Sequence, residues 1–438
     1  MSEPSSAAAP AEGDAGANEG RRRINLGIFG STPPFTPRQW RVFGIAITAG
    51  FFNVYDNALL SLALEQIQRG LHIAEADLGT MLSLIRLGYV LSLFITPLAD
   101  IFGRRRLLLY TIIFYTVFTG LSAIAPGERS FIVFQVLARA FAGAESTIAL
   151  VILVEEVDAA NRGWAVGLLA AVATTGYGLA AIVFATINVM PYGWRGLYAI
   201  ALVPLLLLIP LRRILPESHR FEAESRVHAE PVKIWQPIMK LFRTYPVRLL
   251  LMISVGFLAS MGSNAAGQFF PKFLQEVHGY APRNVSMLFF FGGALGIMGN
   301  IFAGRMSDRF GRRAMGALFL ILSPILTIVF YTAPGRWLIP SWILELFFDT
   351  ASSTIMATYT AEVFPTAYRS TAGSVLAVAG TTGGALGLFL ESVLYGVTHS
   401  HWTAVRYLTV FWMLSPIAIA YLPETAGLEL EAISQDKE

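Results

Sequence analysis

Gly304-Arg305-Met306-Ser307-Asp308-Arg309-Phe310-Gly311-Arg312-Arg313 stands between two long apolar runs, and Ala99-Asp100-Ile101-Phe102-Gly103-Arg104-Arg105 stands between two others earlier in the chain. The pairing of these two stretches is one of five. Pro216-Glu217-Ser218 answers Pro423-Glu424-Thr425, Thr174-Thr175-Gly176 answers Thr381-Thr382-Gly383, and Glu156 before Arg162 answers Glu362 before Arg369. Asn53, Asn57 and Ser61 answer Ser260, Asn264 and Gln268. Every offset falls between 206 and 208 positions, so the chain is two copies of one design. If each copy holds an even number of membrane spans, both share one topology, the pattern of parallel repeats about an axis along the membrane normal.

Composition agrees with a membrane. Of 438 residues, 55% are hydrophobic and 14% charged, against about 25% charged in a soluble domain. Mean hydropathy is +0.58. Twelve apolar segments approach the roughly 20 residues that cross a bilayer as helix: 42–64, 79–99, 107–125, 131–154, 164–187, 196–211, 249–271, 285–304, 314–333, 338–361, 371–395 and 403–422. The runs are continuous, not the alternating ten-residue stretches of an outer-membrane barrel. The fold class is therefore all-α and polytopic, with two six-helix bundles. Residues 1–36 read as a disordered tail, 37–211 as the first bundle, 212–248 as a linker, 249–422 as the second bundle and 423–438 as a tail. Placing both termini in the cytoplasm puts most of the 32 Lys and Arg inside, as the positive-inside rule requires.

Several function classes are excluded or disfavoured. There is no Cys, hence no disulfide, thiolate metal site or cysteine nucleophile. No glycine-lysine phosphate loop is present, which removes ATP as energy source. The six His (His72, His219, His228, His278, His399 and His401) fall in connecting segments or at span ends, so no metal site is expected. A membrane enzyme would need a clustered nucleophile and base at one depth, and a receptor or channel has no need of a two-fold repeat.

The Asp-Gly-Arg-Arg loops resemble the signature Gly-x-x-x-Asp-Arg-x-Gly-Arg-Arg of the major facilitator superfamily. Gly304–Arg313 meets it in full, while the first copy has Thr96 for the glycine and Ile101 for the first arginine. Pro216-Glu217-Ser218 and Pro423-Glu424-Thr425-Ala426-Gly427 are similar to the span ends of sugar porters and organic-ion transporters. Asn53-Val54-Tyr55-Asp56 resembles the Asp-Gly-Tyr-Asp pattern of aromatic-acid/proton symporters. The fifth span lacks the glycine pattern of drug/proton antiporters. The resemblance implies alternating access between two bundles, with a cytoplasmic gate formed by Asp100, Arg104, Arg105, Glu155, Glu156, Asp308, Arg309, Arg312 and Glu362.

An ionisable group at bilayer depth costs about 2.5 to 3.5 kcal/mol even on the gentlest scale, so each should face a cavity or a partner. Seven qualify: Asp56, Arg86, Arg139, Glu145, Glu345, Asp349 and Glu391. Asp56 continues the polar stripe of Asn53, Asn57 and Ser61, which should face the central pathway and make Asp56 a proton acceptor; an Arg-locked structural Asp is the competing reading. Arg139 fits either a substrate carboxylate or a pair with Asp56, and Arg86 has the same two readings. Glu345 and Asp349, one helical turn apart, are candidate coupling acids, as is Glu145; a bridge to an arginine explains the pair equally well. Asn53, Asn57, Tyr177, Asn264 and Gln268 are the candidate uncharged substrate contacts. Phe289, Phe290 and Phe291 read as packing or lipid-facing groups.

The expected protein is a monomeric secondary transporter in a bacterial inner membrane, moving a small organic solute, best an organic acid, by proton symport without any cofactor. A sugar or organic cation is the alternative substrate.

Overall fold

The first helix starts where its sequence demands. Thr36 Oγ1 accepts the Gln39 N–H at 3.2 Å and Gln39 Oε1 accepts the Thr36 N–H at 2.8 Å. Pro37, which has no N–H to leave unsatisfied, opens the first turn. The computed structural model describes residues 32–158, 161–202, 235–365 and 368–426, without the side chains of Asp100, Arg162, Trp235 and Ile297.

All regular elements among the described residues are helical. They are α1 (Pro37–Leu62), α2 (Leu64–Leu71), α3 (Leu78–Ile95), α4 (Leu98–Phe102), α5 (Arg104–Ala123), α6 (Glu128–Glu156), α7 (Arg162–Phe184) and α8 (Trp194–Ile200) in the first half. A short 3-10 turn, Glu75–Asp77, precedes α3. Then come α9 (Trp235–Thr244), α10 (Pro246–Glu276), α11 (Pro282–Phe310), α12 (Arg312–Thr332), α13 (Gly335–Val363), α14 (Arg369–Thr398) and α15 (His401–Ala420).

Ten of the described helices are long and apolar enough to cross a membrane. Two expected spans stand apart from these. The sixth is described only at its start, as α8, and the rest of 196–211 lies outside the described residues. The tenth is α13, 29 residues long, whose apolarity is diluted by Glu345, Asp349, Thr350, Ser352, Ser353 and Thr354. The expected tails and linker lie largely outside the described residues, although α9 occupies part of 212–248 and α10 begins at Pro246, three positions early. The second span is broken: α3 ends at Ile95 and α4 begins at Leu98, because Pro97 has no N–H to donate. Arg305 stands at the matching place in the other copy, and α11 runs through it unbroken.

Helix pairing repeats like the sequence. α1 packs on α7 as α10 packs on α14, α5 on α6 as α12 on α13, and α3 on α6 as α11 on α13. The first pairing depends on equivalent glycines. A Cβ on Gly176 would run into the Phe51 carbonyl, and one on Gly383 into that of Phe257. Without side chains there, the backbones close in, the usual basis of helix contact in lipid.

Between the halves, α3 meets α14, α7 meets α11 and α1 meets α10. Apolar packing is divided unevenly along the molecule. At the end holding residues 55–85 and 261–289, one cluster runs through both halves, joining Tyr55, Leu59 and Phe131 to Phe269, Phe273 and Phe330. At the end holding the Asp-Gly-Arg-Arg loops, each half has its own cluster, around Val42, Leu108 and Ile152 in the first and Leu249, Tyr359 and Leu422 in the second.

Candidate functional site

The wall between the halves is built from faces that the helix period brings into line. Val54 and Ser61 lie on one side of α1, with exposed Asn57 between them. Ser61 donates its hydroxyl to the Gly267 and Gln268 carbonyls of α10 at 3.1 and 3.3 Å. Next to this contact lies a cavity of about 600 Å³, walled by α1 and α7 on one side and by α10, α11 and α13 on the other. Tyr177 and Phe289 stack across it with ring centroids 5.8 Å apart, and Phe289 meets Trp342 at 5.0 Å. Phe289 and Phe290 thus line the cavity, which corrects their reading as mere packing groups, while Phe291 is 65% exposed on the outer surface.

Glu345 and Asp349 both line this cavity, one turn apart on α13. Glu345 is only 5% exposed. Neither carboxylate has an ion pair or a hydrogen bond to another side chain among the described residues. Asp349 and Ser263 also line a second cavity of about 300 Å³ inside the second half, with Ser260, Ser352 and Thr360. Asp349 therefore stands at the junction of two spaces, one of which continues toward the loop end.

Asp56 and Arg139 lie elsewhere. The expectation that Asp56 faces the pathway is corrected: it points into the first bundle, where Arg139 Nη1 donates to its Oδ2 at 2.7 Å, with side-chain exposures of 0% and 1%. Arg139 Nη2 donates to the Asp56 carbonyl and to Gln135 Oε1, each at 3.3 Å. Asn53 is corrected likewise. Its Nδ2 donates to Ser146 Oγ at 2.8 Å and to the Ala142 carbonyl, and its Oδ1 accepts from Tyr89. One polar face of a helix can serve a neighbouring helix as well as a cavity, and α1 does both by turns. Glu145 is buried against Thr48 and Tyr115, apart from the central cavity, with no hydrogen bond to its Oε2 among the described residues.

Arg86 reaches from α3 into the second half. Its guanidinium lies where a Cβ on Gly384 would be, beside the Asn264 amide. Its Nε has no partner among the described residues, and no acid pairs with it there. Asn264 donates to the Ser260 carbonyl at 2.9 Å, and Gln268 Oε1 is left without a partner. Arg86, Asn57, Asn264, Gln268 and Tyr177 are thus brought to the seam between the halves, and Asn53 and Arg139 are not.

At the loop end, Gly103 and Gly311 have φ of 90° and 97°, the left-handed region that explains a glycine in both copies. Arg104 pairs with Glu155, and Arg38 binds Glu156 through two nitrogens at 3.0 and 2.8 Å. In the second half Arg312 holds Glu362 at 3.2 and 3.1 Å and Asp308 at 2.7 Å. Arg309 lies against the Phe310 ring, 5.3 Å from its centre. Arg105 is half-buried on α5, and the Asp100 side chain lies outside the described set. Each of these described ion pairs stays within one half. Sequence alone did not give the role of Glu424: its carboxylate accepts the Arg312, Arg313, Thr425 and Ala426 N–H groups at 2.7 to 3.2 Å. Burial pushes its acid up, but these four donors pull it below the ordinary glutamate value. Glu217, its counterpart, lies outside the described residues.

Known proteins share this architecture. The sequence profile of the Major Facilitator Superfamily matches residues 46–330 and 285–431. A putative metabolite transport protein of Haemophilus influenzae is 27% identical over 415 residues, covering 90% of this chain and 98% of the relative. The cis,cis-muconate transport protein of Acinetobacter baylyi is 29% identical over 350 residues, covering 76% and 82%. The inward-open xylose transporter XylE of Escherichia coli superposes with a TM-score of 0.73 at 18% identity, over 91% of this chain and all of the other. The chain belongs to the major facilitator superfamily, and it is a multi-pass membrane transporter of a small molecule, not an enzyme.

Proposed function

We propose that this secondary transporter carries a small organic acid together with protons, using twelve spans with both termini in the cytoplasm of a bacterial inner membrane and no cofactor beyond the proton gradient. The observation that carries the reading is the separation of charges on the seam: Glu345 and Asp349 line the cavity without a cation, and Arg86 reaches the seam without an acid. Repulsion between two carboxylates one turn apart in a low-dielectric cavity is relieved by one proton, so the pair is a proton carrier. An unpaired guanidinium offers a bidentate site to a carboxylate that arrives with the substrate. Asn57, Asn264, Gln268 and Tyr177 supply neutral hydrogen bonds, and the aromatic wall of Tyr177, Phe289 and Trp342 suits a flat, unsaturated carbon skeleton. The muconate-transporting relative has such a substrate. With the loop end inside, the two separate clusters there and the shared cluster opposite correspond to a state open to the cytoplasm.

A second reading has one observation in its favour. Two acids beside aromatic faces also suit an organic cation. Proteoliposomes with an imposed pH gradient, offered labelled muconate or benzoate against a labelled quaternary amine, decide between them. Acid uptake that is gradient-driven and lost in Arg86→Gln supports the first reading; cation uptake indifferent to Arg86 overturns it.

A further inference from the structure

Most polar contacts that cross between the halves at the end away from the loops are neutral. Ser392 Oγ accepts the Thr80 N–H at 2.9 Å and donates to the Ala76 carbonyl, Ser83 donates to the Ala385 carbonyl at 2.7 Å, and Gln66 donates to Gln275. Two are made of titratable groups and share Glu75: one with Lys272, and one that runs through a histidine. His401, the first residue of α15, is buried between the rings of Phe269 and Tyr395, with centroids 4.8 and 4.2 Å away. Its Nδ1 lies 2.6 Å from Glu391 Oε1 on α14, and its Nε2 lies 2.8 Å from Glu75 Oε2 of the first half. Glu391 is 0% exposed, and its second oxygen has no partner among the described residues. That oxygen faces Gly79 of the first half, where a Cβ would collide with it.

The geometry fixes a proton count. A contact this short between a ring nitrogen and a carboxylate oxygen contains one hydrogen. Two such contacts need two, and a neutral imidazole brings only one. The chain Glu75–His401–Glu391 therefore holds one proton beyond neutral imidazole and two carboxylates, whether on the ring or on an acid. Without it, a nitrogen lone pair would face a carboxylate lone pair at contact distance, beside a ring 4% exposed and a Glu391 carboxylate 0% exposed, with Glu75, at 39%, reaching solvent.

We propose that Glu75, His401 and Glu391 form a proton-held latch, in which a proton bound at the triad joins the two halves and keeps this end shut, and its release lets the end part. Other charged or titratable groups surround the triad. Lys272 and Glu276 come from α10, with Lys272 Nζ 3.3 Å from Glu75, 2.7 Å from Glu276 and 2.8 Å from Gln68 Oε1. Glu65 and Arg69 come from α2, Tyr395 from α14 and Tyr331 from α12. Their fields set the pH at which the latch yields; they do not supply the missing hydrogen. If this end faces outward, as the functional reading has it, a proton entering from outside favours the state sealed against the outside. Only that direction rests on the functional reading, because the latch needs neither substrate nor gradient.

The absence of cysteine makes the test direct. Spin labels on Ala74→Cys and Val277→Cys, both exposed and on opposite halves, report the gap in full-length protein in nanodiscs without substrate. Between about pH 5 and pH 8, the range in which histidine titrates, the distance distribution should move from short to long. His401→Gln keeps bulk and hydrogen-bonding atoms but cannot hold the extra proton, and should lose that response. Glu391→Gln, which brings its own N–H, should stay short to higher pH. A distribution that ignores pH in the unsubstituted labelled protein overturns the latch, as does an unchanged response in His401→Gln. Should His401→Gln not fold, an unshifted profile in Glu391→Gln is equally decisive. Failure of pH-driven uptake alone would strike the symport reading and leave the latch standing.

Discussion

The two halves share a backbone plan and differ in what they do with buried charge. In the first, Asp56 and Arg139 pair with each other inside the bundle through Asp56 Oδ2, while Asp56 Oδ1 has no partner among the described residues. In the second, Glu345 and Asp349 face the cavity with no cation among the described residues. At the spacing that relates Asn53 to Ser260, their counterparts are Ala138 and Ala142, both fully buried, and the counterpart of Asp56 is Ser263, which lines both cavities. In the first copy Asp56 is turned into the bundle, and in the second the two acids line the cavity. A duplicated fold thus allows the two halves to place different side chains at equivalent positions along one seam.

That contrast is open to attack at several strengths. The largest effect should come from Glu345→Gln with Asp349→Asn, which ought to abolish gradient-driven accumulation in proteoliposomes while substrate exchange persists. Accumulation equal to wild type would move coupling out of the second half. Next, Asp56→Asn leaves the Arg139 cation buried without its counter-charge, a loss of about 3 to 5 kcal/mol. It should appear as a lower unfolding temperature of the purified protein, much of it regained when Asp56→Leu is combined with Arg139→Met. A stable Asp56→Asn that cannot accumulate solute would instead give the first half a share in the chemistry. Arg86→Gln should weaken equilibrium binding of an organic acid roughly ten- to a hundredfold, about 1.5 to 3 kcal/mol for a charged hydrogen bond, with Arg86→Lys less affected. The smallest effect belongs to Glu424→Gln, which removes a charge from the start of α12 and should cost about 0.3 to 1 kcal/mol. Because Glu424 is held below its ordinary 4.5, its contribution is present above that value and fades as pH falls through the lower folded value. Wild type and variant should therefore differ in thermal unfolding at neutral pH and converge in acid.

Much of this was open to sequence reasoning because it is local or repeated. The loops, the paired glycines and the i, i+4 acids of α13 are all visible in a one-dimensional pattern. Whether Asp56 meets the pathway or Arg139 is not, since that depends on which helix lies behind α1. Of the cavity aromatics Tyr177 was named, but Phe289 and Phe290 were missed for a related reason: Phe289 lines the cavity and Phe291 faces outward, and nothing in three consecutive phenylalanines separates them. The His401 triad was out of reach altogether. A histidine at a span end looks like a loop residue, and its partner Glu75 lies 326 positions earlier.

The apolar cluster shared by both halves has a thermal consequence. When that end parts, Phe269, Phe273 and their neighbours across the seam must meet water or lipid headgroups. Hydrating such surface raises the heat capacity, so the free energy separating the two states is bowed in temperature. The attraction that keeps the cluster together weakens on cooling. A chilled transporter should therefore rest with that end ajar more often than a warm one, and its transport rate should follow a curved Arrhenius plot even where the lipid stays fluid.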